Sequence, residues 1–135
     1  MKSTNYFNTF IEVAADCPVK TAQVPPVGKS PTAANIQYDM IAENPYKHTS
    51  DDVIFSVYAF KNNIEPKKQE KERQQFFSKG QACLRCSPLA KRYGWGVHSN
   101  DKGKIAIYAV ESDEYKKFCS DSKLAHTKAM RSKRQ

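Results

Sequence analysis

Two thiols three residues apart, in Cys83-Leu84-Arg85-Cys86, are the residues of this chain whose type and spacing could do covalent chemistry. The run leads straight into Ser87-Pro88, a pair that caps and opens helices, so the thiols would stand near the positive end of a helix and beside the Arg85 guanidinium. Both neighbours favour the reactive thiolate. A nucleophilic thiol also needs a base within hydrogen-bond reach. The histidines are His48, His98 and His126, and His98, reached through Trp95-Gly96-Val97, is the one the chain could return to the thiols. The catalytic constellation to test is therefore Cys83 or Cys86 with His98. The plainer reading is that the thiols pack as small hydrophobes and His98 bonds across a sheet. A structural zinc site needs four ligands and usually a second cysteine pair. Cys17 and Cys119 stand alone, so no metal centre is expected, and the chain has no glycine-rich phosphate loop that would call for a cofactor.

A second group of side chains suits binding. The densest polar loop, at 44–52, carries Tyr46, His48 and Asp51, while Arg85, Tyr93 and Trp95 lie near the thiols. Rings, a guanidinium and a carboxylate of this kind line small-ligand pockets, and loops held by a rigid sheet are common binding sites. Asp51 and Asp52 are adjacent, and on an extended chain they would point to opposite sides, so only one could serve a given site. Thr49, Ser50 and Asp51 equally suit a turn that bonds its own backbone.

The chain has 22 Lys and Arg against 14 Asp and Glu, a net charge of +8, but the excess is uneven. Residues 123–135 hold five basic residues, among them Lys128, Arg131, Lys133 and Arg134, and no acid. Such a tail could attract nucleic-acid phosphates without sequence preference, or simply be a solvated terminus. A helix-turn-helix reader is a poor fit, because the most basic helical stretch, 67–79, alternates acid with base. The apolar runs are far shorter than the roughly 20 residues of a membrane span. The N-terminus lacks the apolar stretch of a secretory signal, so a cytoplasmic protein with reduced thiols and no membrane partner is expected.

These residues must be positioned by an ordinary-sized domain, since 135 residues fit one compact unit. Alternation at 7–14 predicts a first strand, and the prolines and glycine of 15–31 predict a long loop. Ser30-Pro31 reads as the start of a helix that stops before Asn44-Pro45. The run 53–60 is apolar on both faces and predicts an interior strand. A charged helix over 67–79 buries Phe76 and Phe77, and a short helix follows Ser87-Pro88. A hairpin of 95–100 and 104–110 turns at Gly103, and a last helix is capped by Ser112, with Cys119 on its apolar face. The expected fold is a single α+β domain over 1–122. Its antiparallel or mixed sheet has about four strands, with a C-terminal hairpin and helices packed against it, and 123–135 forms a flexible basic tail.

Three stretches, NYFNTFIEVAADCPV at 5–19, NPYKHTSDDVIF at 44–55 and FFSKGQACLRCSPLAKRYGWGVHSNDKGKIAIYAVES at 76–112, together resemble a family of short bacterial proteins classed as a domain of unknown function. The resemblance implies a single bacterial domain and assigns no activity, substrate or catalytic residue. It departs at Cys86, where the family carries a small residue before Ser-Pro-Leu, and this counts against a mechanism needing both thiols. The basic tail lies outside the likeness. The reading that results is a small cytoplasmic binding or accessory domain of that family, its partner open between a small ligand and another macromolecule. The alternatives are a thiol-dependent enzyme or redox protein using Cys83 and Cys86, and nonspecific nucleic-acid contact through the tail.

Overall fold

Phe10 and Ile11 are both fully buried although they are neighbours on an extended chain. Successive strand residues point to opposite faces, so β1 (Thr9–Glu12) must have core on both sides. In the computed structural model, which describes residues 1–132, β1 is an inner strand of a four-stranded mixed sheet ordered β3-β2-β1-β4. β2 (Trp95–Ser99) and β3 (Ile105–Ala109) form the expected antiparallel hairpin, and Gly103 takes a φ of +78° in its turn. β2 also pairs antiparallel with β1.

Two layers cover the sheet. On one face Ile11, Val97 and Ile105 share a core with Ile41 of α1 (Ala33–Ala42), Val53 of α2 (Ser50–Lys61) and Leu89 of α4 (Pro88–Lys91). On the other face the Phe10 ring lies 5.1 Å from Tyr115 and 5.2 Å from Phe118, both on α5 (Asp113–Cys119). A smaller cluster, Phe55, Ala59 and Phe77, joins α2 to α3 (Gln69–Phe76), the charged helix, which begins after a 3-10 turn at Pro66–Lys68. The arrangement is a single α+β domain. No helix among the described residues is long and apolar enough to cross a membrane.

Three expectations are corrected. The run 53–60 is not an interior strand but most of α2. This helix is apolar on two sides because one side joins the main core beside α1 and the other packs on α3, and an apolar run buried on both sides looks alike in strand and helix. Its start is fixed by a capping box: Thr49 accepts from the Asp52 N–H at 3.1 Å and Asp52 Oδ2 accepts from the Thr49 N–H at 3.0 Å. α1 starts two residues later than Ser30 would place it, with Thr32 as its cap and Asn35 closing a similar box. The basic tail contributes to the sheet: β4 (Ala125–Lys128) pairs parallel with β1 and Ala129 is buried, because β1 offers an unfilled edge. The fourth strand thus comes from residues expected to be flexible.

The loop from Glu12 to Ala33 is a tethered strap. The Gln23 N–H donates to Tyr93 O at 2.9 Å, Gln23 O accepts from Trp95 Nε1 at 2.8 Å, and the Ala22 N–H donates to Glu111 Oε2 at 2.9 Å. Asn35 Nδ2 donates to Pro26 O at 3.1 Å at the strap's far end.

Candidate functional site

The connection from α1 to α2 runs along the outer edge of β3. The Tyr46 N–H donates to Ile105 O at 2.8 Å and Ile105 returns its N–H to His48 O at 2.9 Å. Holding that line puts Tyr46 at a φ of +60°. The left-handed region costs a non-glycine residue roughly 1–2 kcal/mol, because Cβ crowds the carbonyl, and such strain clusters at functional sites. Here it aims the ring. Tyr46 Oη lies 2.8 Å from His98 Nδ1 and 2.8 Å from Tyr108 Oη.

The strand register supplies the other members. His98 of β2 and Tyr108 of β3 share the face turned to α5, where His98 stacks on Phe118 at 4.3 Å and Tyr108 lies 4.9 Å from the same ring. Tyr46 has one hydroxyl proton and two partners. It donates to one of them and accepts from the other, so reversing its bond to Tyr108 also switches which His98 tautomer the cluster holds. Burial, then the bond to Tyr108, raises the Tyr46 pKa above the ordinary tyrosine value of 10.0. The phenol therefore stays protonated near neutral pH. Beside the cluster a hollow of about 180 Å³ is lined by Tyr108, Phe118, Glu114, Lys117 and Asp121.

Burial also holds His98 below its ordinary 6.5, against the opposing pull of Asp121. Between the lowered value and 6.5 the unfolded chain binds more protons than the folded one, so stability rises with pH across that window. It is full above 6.5 and falls as the pH drops through the folded value. The His98 ring resonances are expected to titrate with a midpoint below 6.5, and His98→Phe should remove this part of the pH dependence of the urea midpoint. A midpoint at or above 6.5 would contradict the buried placement.

The structure does not form the couple of thiol and imidazole. Val97 faces the layer that holds Leu84 and Leu89, so its neighbour His98 must face the other layer; Cys83 and Cys86 flank Leu84, across the sheet from His98. Cys83 Sγ instead meets Tyr6 Oη at 3.3 Å, and Cys86 is exposed. Other singled-out residues hold the fold. Arg85 Nε donates to Lys128 O at 2.7 Å and Arg85 O accepts from the Met130 N–H at 2.8 Å, which ties down the end of β4. Tyr93 and Trp95 secure the strap. Asp51 is 1% exposed and faces the N-terminal residues, not a cleft. His48 lines a separate hollow of about 380 Å³ with Asp52 and Arg73, whose ion pair measures 2.9 Å.

Lys128 and Arg131 are exposed on and after β4, while Lys133 and Arg134 lie outside the described residues. Among the described residues no group of three or more His, Cys, Asp or Glu side chains is placed to hold a metal ion. Sequence reasoning singled out Tyr46 and His98 separately and missed Tyr108 and Phe118. The available signal was parity: Tyr108 alternates with Ile105 and Ile107, so it had to leave the main core. A family described as a family of unknown function (DUF6157) matches residues 1–135, including the basic end that the three resembling stretches left out. No curated protein and no solved structure matches the chain.

Proposed function

For a chain that belongs to DUF6157, a family of unknown function, we propose a small-ligand binding module whose recognition site is the Tyr46–His98–Tyr108 cluster and the hollow beside it. The observation that carries this reading is the strained Tyr46, held so that one hydroxyl serves both His98 and Tyr108 at 2.8 Å. Of the cluster, Tyr108 lines the hollow beside the Phe118 ring, with a hydroxyl that can donate or accept, and Tyr46 and His98 stand behind it. At the mouth, Glu114 and Asp121 outnumber Lys117. Aromatic faces and an excess of carboxylates both attract cations, so the ligand class that fits is a small amine with a flat or aliphatic body. The four cysteines are free thiols, which suits the reducing cytoplasm as the site of action.

The test is a titration of the full chain with arylalkyl amines, the matching carboxylic acids and the neutral amides, followed by the aromatic resonances of His98, Tyr108 and Phe118. Amines are expected to shift these resonances saturably, and Asp121→Asn and Tyr46→Phe to weaken the effect. Equal response to acids and amides, or shifts confined to residues elsewhere, would defeat the proposal.

A further inference from the structure

Across the sheet from that cluster, the Cys86 N–H donates to Cys83 O at 3.0 Å, closing the 3-10 turn Leu84–Cys86. A turn closed from one residue to the third after it keeps those two Cα atoms within about 7 Å, the span a disulfide bridges. The two sulfurs differ in access. Cys86 is exposed, whereas Cys83 is half-buried against Tyr6. Burial, and then Cys83 itself, pushes the Tyr6 phenol up to about 12, so Tyr6 keeps its proton at neutral pH and can donate it toward the Cys83 sulfur. Beside the pair opens a hollow of about 190 Å³ walled by Ile54, Val57 and Pro88. It could receive the organic part of a thiol-bearing molecule.

The other cysteines lack this combination. Cys119 meets Glu12 Oε1 at 3.5 Å, and burial with the nearby carboxylate raises its thiol to about 11. Cys17 is half-buried, with its sulfur 3.8 Å from Val19 O.

We propose that Cys83 and Cys86 are a redox-active dithiol that exchanges with low-molecular-weight disulfides, Cys86 attacking and Cys83 resolving. The Cys86 thiolate attacks one sulfur of the small disulfide. That S–S bond breaks, a mixed disulfide forms on Cys86, and the first small thiolate leaves and takes up a proton. The Cys83 thiolate then attacks Cys86 Sγ, forming the Cys83–Cys86 bond and expelling the second small thiolate, which takes up the other proton. The protein dithiol loses two electrons and the small disulfide gains them. Closure withdraws Cys83 Sγ from Tyr6 Oη.

The experiment exposes the reduced full chain to glutathione disulfide near neutral pH and follows intact mass and peptide maps with time. The wild type is expected to pass through a mixed disulfide on Cys86 and end about 2 Da lighter, with Cys83 joined to Cys86. Cys83→Ser should stall as the mixed disulfide on Cys86, and Cys86→Ser should react at least about tenfold more slowly at Cys83. Both substitutions are nearly isosteric, and an unchanged urea midpoint certifies the fold of each variant. A wild-type mixed disulfide that never closes, first modification at Cys17, Cys119 or Cys83, or no reaction at all would overturn the proposal. Its residues are separate from the Tyr46 cluster, so its failure leaves the ligand reading untouched.

Discussion

Asp51→Ala is expected to lower the unfolding free energy by about 3 kcal/mol. Asp51 receives the Ser3 hydroxyl, the Thr4 N–H and the Thr4 hydroxyl, each at 2.7 Å, and its own N–H donates to Asn5 Oδ1 at 2.9 Å. Removing the carboxylate strands donors that the fold has already taken from water; an unmade buried bond costs about 1–3 kcal/mol, which exceeds what a satisfied one contributes. The negative charge also leaves the first turn of α2, where the helix dipole favours it. The loss should appear as a lower urea midpoint and a fall in Tm of roughly 10 °C. Ser3 is exposed, so Ser3→Ala should cost under about 1 kcal/mol. An Asp51→Ala loss that small would show that residues 1–5 are not part of the cooperative unit.

Gly96→Ala is expected to destabilise by about 3 kcal/mol, at the upper end of overpacking effects. A Cβ there would lie 2.6 Å from Phe10 Cζ and 2.6 Å from Tyr115 Cε2, closer than carbon atoms approach. Neither ring can step aside. Phe10 is fully buried and edge-on to Tyr115, and Tyr115 Oη accepts the Val13 N–H at 3.0 Å. The strain must lift α5 from the sheet, which would carry Phe118 away from His98. Gly96→Ala should therefore move the His98 resonances as well as the denaturation midpoint. Adding Phe10→Leu should recover part of the loss, since the two sites share one space. A variant as stable as the wild type with an unshifted His98 would refute the close approach.

How much of this was readable in the chain depended on range. The hairpin was legible because Gly103 and the alternation on either side act within a few residues. The starts of α4 and α5 were legible because Ser87-Pro88 and Ser112 are local caps; Ser87 Oγ accepts from Leu89 N at 3.1 Å and Ser112 Oγ from Tyr115 N at 3.1 Å. α2 was misread although Thr49 and Asp52 stood at capping-box spacing, because burial on two sides removes the polar stripe that marks a helix. β4 was missed because Ala125, His126, Thr127 and Lys128 have no apolar pattern, and what makes them a strand is the open edge of β1.

The same division holds for the sites. Sequence alone determined the α+β class, the hairpin, the caps of α4 and α5 and the dithiol spacing, all consequences of interactions that close within one turn or one strand pair. It also determined the side chains from which any site must be made, Tyr46, His98, Cys83 and Cys86 among them. Which of these meet was decided by tertiary structure: strand parity set His98 and the thiols on opposite faces, and the edge of β3 bent Tyr46 toward His98 and Tyr108. Contacts between residues tens of positions apart follow from how whole layers pack, and no local pattern encodes that packing.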